Sequence, residues 1–464
     1  MLRTRTFIRF ASNTSGVKVK SSSALKRPQY DFQFIFNNAD DLINSAKLRR
    51  LPTSGVELVR DNYSLYKNSR LELNKLQSKR KELEKQLIPK KGDGQQISLD
   101  QISDIRKQLG DLKNQAKDLS IEHSKYEENL FIGADAVPNV ISPDSFVPEP
   151  QEIAFLNDNN GERPLMAENT DHMTVARKLG IVNLEAAARV SGSSWYYLIG
   201  DGALLEQALV NYAMSKARKR GFVPVIPPSI VRQEMANACG FKPRDQNGEQ
   251  QIYNLSFKGA DLCLTGTAEI PLAGLYSDTE LEFDKTGVKK HVGVSRSYRA
   301  EAGARGRDTK GLYRVHEFTK VELFAWTDTK ERSVTVLNDI LELQKEIITE
   351  LGLTARVLNM SPDELGSPAY KKYDIEAWMP GRRDWGEVTS TSNCLDFQSR
   401  RMHTKYRSEE NGNKLAFAQT LNGTAMAVPR VIVAILETFY EPDTKRVKIP
   451  EVLRKWMDDK KYIE

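Results

Sequence analysis

Between residues 37 and 131 the apolar side chains form a stripe too narrow to surround a globular core. This stripe limits what the chain can build more than any other feature. Ile102, Ile105, Leu109, Leu112, Ala116, Leu119, His123, Tyr126 and Leu130 follow one another at alternating steps of three and four. The same frame runs through Val59, Tyr66, Leu73, Leu76, Leu83 and Leu87, with Asn62, Ser69 and Arg80 in its remaining core slots. Between the two stretches lies Pro89 to Gln96, PKKGDGQQ, whose Pro, Gly and Asp read as a turn. A heptad stripe on each side of a tight break predicts two long helices folded back as an antiparallel coiled-coil hairpin. Helices of ~30 residues would carry its tip roughly 45 Å outward at 1.5 Å per residue. A dimerising coiled coil or one layer of a bundle would show the same pattern. His123 in a core slot reads as a half-buried helix residue.

From Ala134 to Pro150 the sequence ADAVPNVISPDSFVPEP reads as a linker. Beyond it short β-type runs, SWYYLI, FVPVI, VGVSRSY and VELFAW, alternate with the amphipathic stretches GALLEQALVNYAMSKARKR and TVLNDILELQKEIITELG. No GxGxxG follows a strand, so a parallel dinucleotide-binding sheet is not expected. The expectation is an α+β chain: a helical coiled-coil arm over 31–133, a linker over 134–150, and a domain over 151–464 on a mixed, mostly antiparallel sheet.

Residues 1–30 differ from the rest. They hold Arg3, Arg5, Arg9, Lys18, Lys20, Lys26 and Arg27, many serines and no acid. An Arg- and Ser-rich, acid-free start reads as a mitochondrial presequence, which would send the protein to the matrix. A disordered basic tail would look similar. Without these cations the formal net charge of +6 falls to about −1, so overall charge gives no argument for a nucleic-acid partner. Cys239, Cys263 and Cys394 lie far apart without CxxC spacing, against a disulfide framework or a Cys-based zinc site. No apolar run approaches the ~18 residues of a membrane span.

The densest chemistry lies in residues 298–324, YRAEAGARGRDTKGLYRVHEFTKVELF. Two β-type runs flank a Gly- and charge-rich loop, which predicts a long hairpin. The period of two puts Arg299 and Glu301 on one face, and Arg314, His316, Phe318, Lys320 and Glu322 on one face of the return strand. Guanidinium forks grip phosphate and an aromatic ring stacks on a base, so this surface suits a phosphorylated aromatic ligand. A surface hairpin with cross-strand ion pairs is the plain alternative.

This segment resembles motif 2 of the class II aminoacyl-tRNA synthetases, and its loop EAGARGRDTKGLYRVHEF resembles the seryl branch. RKRGFVPVIPPSIVR (218–232) resembles motif 1, the dimer-forming element, and LTGTAEIPL (264–272) the serine-binding signature. WGEVTSTSNCLDFQSRR (385–401) and the motif-3-like TLNGTAMAVPRVIVAILE (420–437) follow in the family's order, and AARVSGSSWYYLIGDGALLEQAL (187–209) resembles its entry to the catalytic domain. The likeness runs from about residue 31 to the C-terminus.

The resemblance implies an ATP-dependent ligase that joins L-serine to tRNA(Ser) through a seryl-adenylate. It also implies Mg²⁺ as cofactor and a homodimer through the motif 1 region. Arg299, Glu301 and Arg430 would be catalytic. ATP would meet Arg299, Ala300, Glu301, Arg314, Phe318, Glu387, Val388, Thr389, Ser390 and Arg430. Glu387 and Ser390 would also contact Mg²⁺, an oxygen-seeking ion. Serine would be bound by Thr267, Ala268, Glu269, Arg299, Glu322 and Thr424. Lys81, Lys85, Lys90 and Lys91 near the hairpin tip would meet the tRNA backbone.

In such a mechanism the serine carboxylate attacks the α-phosphorus, pyrophosphate leaves, and the tRNA ribose hydroxyl then attacks the adenylate carbonyl. Positioning and charge suffice, so His316 need not act as a base. A site that hydrogen-bonds a hydroxyl should reject alanine by ~10⁴-fold or more and threonine by only ~10–200-fold. The sequence departs from the family pattern at Tyr298, Glu317, Thr391, Ala425 and Pro429. Only Pro429, before the motif 3 arginine, bears on the backbone of the ATP site, and proline suits a helix start. Two other functions fit a class II framework: an inactive synthetase-like binding protein, and an amino-acid ligase acting on a carrier protein. The first should have lost the charged residues of motifs 2 and 3, and the second needs no arm.

Overall fold

The computed structural model describes residues 25–87, 98–167, 170–242, 250–257, 260–301, 311–407 and 412–464. The presequence up to residue 24, the PKKGDGQQ turn with Lys90 and Lys91, and the middle of the motif 2 loop lie outside the described residues.

Two short helices, α1 (Phe32–Asn37) and α2 (Ala39–Leu48), precede the long pair α3 (Ser54–Gln86) and α4 (Leu99–Ala136). The sequence reading took the stretch from residue 37 onward as one helical run. Pro52 ends that continuity, because a proline disfavours helical backbone in the residue before it. A capping box starts α4: Gln101 N–H donates to Ser98 Oγ, and Ser98 N–H donates to Gln101 Oε1.

The long helices are antiparallel. Val59, Ile105, Leu112 and Leu130 fill the seam. The polar core slots pair across it: Asn129 Nδ2 donates to Asn62 Oδ1 at 3.0 Å, and Ser69 Oγ lies 2.9 Å from His123 Nδ1. The His123 ring also stacks on Tyr66 at 4.8 Å. At the base, a Cβ on Gly55 would fall 2.8 Å from Gly133 O, so only glycine lets the backbones approach this closely. Ile35, Ala39 and Leu42 of the short helices widen the apolar cluster there, and the hairpin beyond it is thin.

The arm is fastened to the body. Arg49 is 2% exposed, and its guanidinium donates to Gly366 O at 2.7 Å and Ala369 O at 2.8 Å, and also to Asn139 O. Residues 25–30, counted with the presequence in the sequence reading, lie against the same junction. Gln29 N–H donates to Arg400 O, and His403 Nε2 lies 2.8 Å from Arg27 O.

The body is built on an eight-stranded sheet: β1 (Gln151–Leu156), β2 (Val223–Val225), β3 (Val288–Tyr298), β4 (Glu317–Thr327), β5 (Ala355–Asn359), β6 (Lys371–Met379), β7 (Asp384–Leu395) and β8 (Gln419–Ala427). Its order is β1-β5-β6-β7-β8-β4-β3-β2. Only β2 runs parallel to its neighbour; the other ladders are antiparallel. Helices α5 (Asp201–Lys219), α6 (Lys330–Glu350) and α7 (Val428–Thr438) cover one face. They bury Leu205, Leu209, Ile340, Ile347 and Ile432 against Val321, Leu323 and Ala325 of β4. Among the described residues no helix is long and apolar enough to cross a membrane.

Candidate active site

The uncovered face of the sheet carries the charged residues. β3 and β4 pair from Glu317↔Tyr298 onward, and Arg299 N–H donates to His316 O just beyond the ladder. Alternation then separates two sets on β4. Val321, Leu323 and Ala325 enter the core, while Phe318, Lys320 and Glu322 face the other way. Phe324 and Trp326, next on that side, enter a second apolar cluster with Ile270 and Leu272. That cluster floors one end of the site.

A cleft of ≈ 560 Å³ opens over the hairpin. Arg299, Glu301, Arg314, Phe318, Glu387 and Arg430 line it, with Val388, Thr389, Ser390 and Thr424 along β7 and β8. The expected ATP residues that line it therefore converge, although 131 positions separate Arg299 from Arg430. Ala300 does not line the cleft; its N–H donates to Gln251 O at 3.0 Å. Arg314 Nε lies 3.1 Å from Glu301 Oε2, and the Arg299 guanidinium sits 5.3 Å from the Phe318 ring centre. Glu301 has φ of 46°, a left-handed backbone unusual for a residue with a side chain. Strain of this kind collects at ligand sites.

Arg430 is held from two sides. Nη1 lies 3.1 Å from Glu387 Oε2 and 3.0 Å from Glu387 O, and the guanidinium packs 4.7 Å from the Tyr313 ring centre. Burial raises the Glu387 pKa, but Arg430, Lys372 and Arg299 outweigh it and hold the carboxyl below its ordinary range. Glu387 is thus a carboxylate. Pro429 occupies the first turn of α7, where its missing N–H costs no hydrogen bond.

Thr267, Ala268, Glu269, Glu322 and Thr424 are buried beside Arg299 and Lys320. Glu322 pairs in register with Thr424, and Lys320 Nζ lies 2.6 Å from Glu322 Oε2. Glu269 Oε1 accepts from Gln398 Nε2 at 2.7 Å and from Asn422 Nδ2 at 3.0 Å. Burial, then the neighbouring Glu322, push the Glu269 carboxyl up to about 7.

The histidines are engaged elsewhere. His316 Nδ1 lies 2.9 Å from Tyr253 Oη, and its ring stacks on Trp195. His172 Nδ1 faces Glu437 at 3.0 Å, and its Nε2 accepts from Leu312 N–H at 3.2 Å. Among the described residues no group of three His, Cys, Asp or Glu could hold a metal by itself. Lys81 and Lys85 are exposed on α3, far along the arm from this cleft.

Tyr313, Asn422 and Gln398 were missed by the sequence reading. Asn422 and Gln398 lie inside quoted motifs, but their contact with Glu269 crosses more than 120 positions, and no local pattern announces it.

Known proteins share these features. Residues 30–141 match the seryl-tRNA synthetase N-terminal domain, and residues 253–439 the tRNA synthetase class II core domain (G, H, P, S and T). The chain is 44% identical over 449 residues to a mitochondrial serine–tRNA ligase of Saccharomyces cerevisiae, covering 95% of this chain and 97% of that protein. It is 48% identical over 360 residues to a mitochondrial serine–tRNA ligase of Schizosaccharomyces pombe, covering 74% and 73%. Its fold matches the seryl-tRNA synthetase of Pyrococcus horikoshii complexed with ATP, with a TM-score of 0.79, 31% identity, and coverage of 94% and 99%.

Proposed function

The chain belongs to the seryl-tRNA synthetase family, and we propose that its cleft forms seryl-adenylate from L-serine and ATP for transfer to mitochondrial tRNA(Ser). Its relatives from two yeasts are named as mitochondrial enzymes, in agreement with the acid-free N-terminus. The observation that carries the assignment of residues is the single face on which Arg299, Glu301, Phe318, Glu387 and Arg430 meet.

In this reading Phe318 stacks on adenine and Glu301 meets its edge. Arg299 takes the α-phosphate and Arg314 the outer phosphates. Arg430, at the start of α7, adds its charge and the amide end of that helix. The buried acids Glu269 and Glu322 receive the serine ammonium and hydroxyl, with Thr267 and Thr424 beside them and Ala268 leaving room. The serine carboxylate then lies next to the α-phosphorus. Fixed cations around the reacting α-phosphate lower the barrier to adenylyl transfer without a protein nucleophile.

The donor set also suits Mg²⁺. An ionised Glu387 and the Ser390 hydroxyl offer oxygen, and among the described residues too few acids converge for an all-protein metal cage. An ion that keeps waters and takes most of its ligands from phosphates needs no more. When bound it neutralises charge on the leaving pyrophosphate.

The arm over 31–133 would read tRNA by shape and backbone through Lys81, Lys85, Lys90 and Lys91. The edge strand β2 and its flank expose Val223, Ile226 and Ile230, with Ile226 95% exposed. An apolar edge of this kind suits a homodimer through the motif 1 region. Serine-dependent exchange of pyrophosphate into ATP, followed by charging of purified mitochondrial tRNA, tests the whole reading. Absence of exchange refutes adenylation, and exchange without charging of tRNA refutes the acceptor. The inactive-protein alternative is disfavoured by the full set of motif 2 and motif 3 charges.

A further inference from the structure

We propose that Gln398 is a positioning residue that fixes which oxygen of Glu269 meets the amino-acid substrate. The proposal rests on the reading that Glu269 contacts serine. Gln398 lies on the short helix Phe397–Met402 and is fully buried. Its Nε2 donates to Glu269 Oε1 at 2.7 Å, and Asn422 Nδ2 donates to the same oxygen at 3.0 Å. Among the described residues no donor is directed at Oε2.

The amide orientation is dictated by chemistry. Turned over, Gln398 would set its carbonyl oxygen against a carboxylate oxygen. As placed, its own Oε1 is buried without a hydrogen-bond partner among the described residues. A buried orphan acceptor is costly, and such local violations are tolerated mainly where function needs them. The gain here is a carboxylate with one oxygen saturated and the other reserved.

That reservation decides where a proton can sit. Two N–H donors on Oε1 leave no room for a hydrogen there, so a proton on Glu269 resides on Oε2. Protonated, Oε2 donates; ionised, it accepts from an ammonium. Serine brings an ammonium, so productive binding uses the ionised form. Burial and Glu322 oppose that form, while Lys320, Gln398 and Arg299 favour it; Cys239 and Cys394 are its other titratable neighbours. Removing the Gln398 donor therefore weakens serine binding and moves its pH dependence upward.

The test is Gln398→Met in the full chain, which keeps length and apolar stem but has no donor. KM for serine and for ATP are read separately in pyrophosphate exchange, from pH 6 to 9. Expected are a serine KM raised ~10-fold, the strength of one hydrogen bond to a charged group, and an unchanged ATP KM. The pH profile for serine should shift upward by about one unit. Should the Met variant fail to fold, Gln398→Asn carries the same test, since its amide falls short of Glu269. A serine KM at the wild-type value, or serine and ATP KM rising together, overturns the proposal. Wild-type protein without serine-dependent exchange would instead overturn the functional reading on which it rests.

Discussion

Arg430 Nη1 lies 3.1 Å from Glu387 Oε2, which joins the cation assigned to the nucleotide to the carboxylate assigned to Mg²⁺. Each group keeps the other charged at the wall of the cleft. Arg430 helps hold Glu387 below the ordinary carboxylate range, and Glu387 raises the Arg430 pKa against the pull of burial. Nucleotide and metal would each take one partner from this pair.

Removing either charge should therefore harm more than its own contact. Glu387→Gln keeps the shape, and we expect pyrophosphate exchange to fall by ~10²–10³-fold. The Mg²⁺ concentration for half-maximal rate should rise. A loss under tenfold, with an unchanged Mg²⁺ requirement, would remove Glu387 from the metal site.

Pro429 tests a different kind of claim, because it stands directly before the motif 3 arginine, where the sequence departs from the family pattern. It sits in the first turn of α7, where a fixed φ favours the helix. Pro429→Gly should destabilise the protein by about 1 kcal/mol through the unfolded chain, and change exchange less than about twofold. Thermal unfolding and exchange kinetics on one preparation check both numbers.

The arm and the cleft should separate in mutants. Lys81 and Lys85 are exposed on α3 and face no active-site residue. Lys81→Glu with Lys85→Glu should raise KM for tRNA by roughly tenfold and flatten its dependence on salt. Exchange without tRNA should stay at the wild-type rate, and an equal loss in both assays would refute the division.

Stability should fall as pH rises toward neutrality. Burial, then Glu322, raise Glu269 to about 7. Burial also raises Asp374, with Glu387 and Glu376 adding to this and Lys372, 2.7 Å away, opposing it. Both carboxyls bind protons more tightly folded than unfolded, so between about pH 4.5 and 7 the folded state holds more protons. The slope of unfolding free energy against pH is then negative in that window. Glu269 alone accounts for on the order of 3 kcal/mol. Glu387, shifted the other way, adds stability above its unfolded pKa and loses it only in acid. Denaturant unfolding at pH 5.5 and 8 should show the decline, and Glu269→Gln should lessen it.

The sequence disclosed those features whose cause is local. Heptad spacing places Val59 and Leu130 in a two-helix seam, because a stripe of that width can face only one partner. Alternation along β4 separates Phe318, Lys320 and Glu322 from the core, because strand side chains alternate. Pairings across the chain were not legible. Asn62 and Ser69 read as flaws in the stripe until Asn129 and His123 lie opposite them. Gln398 reads as one more polar letter on a helix until Glu269, 129 positions away, comes within 2.7 Å.

A last long-range contact gives the sharpest prediction. Gly311 follows the motif 2 loop, and a Cβ there would fall 2.2 Å from His172 Nε2. That nitrogen accepts from Leu312 N–H, so His172 carries its hydrogen on Nδ1, directed at Glu437. Glu437 on α7 also accepts from the N–H groups of His172, Gly381 and Arg382. The loop exit, the β6–β7 turn and the motif 3 helix thus meet on one carboxylate. Gly311→Ala must push His172 away, which frees Leu312 N–H and loosens the wall carrying Tyr313. We expect the ATP KM to rise ~10-fold or more while the serine KM changes little. His172→Ala in the same background makes room for the methyl, so the double variant should be no worse than His172→Ala alone. If it is worse, the clash lies elsewhere.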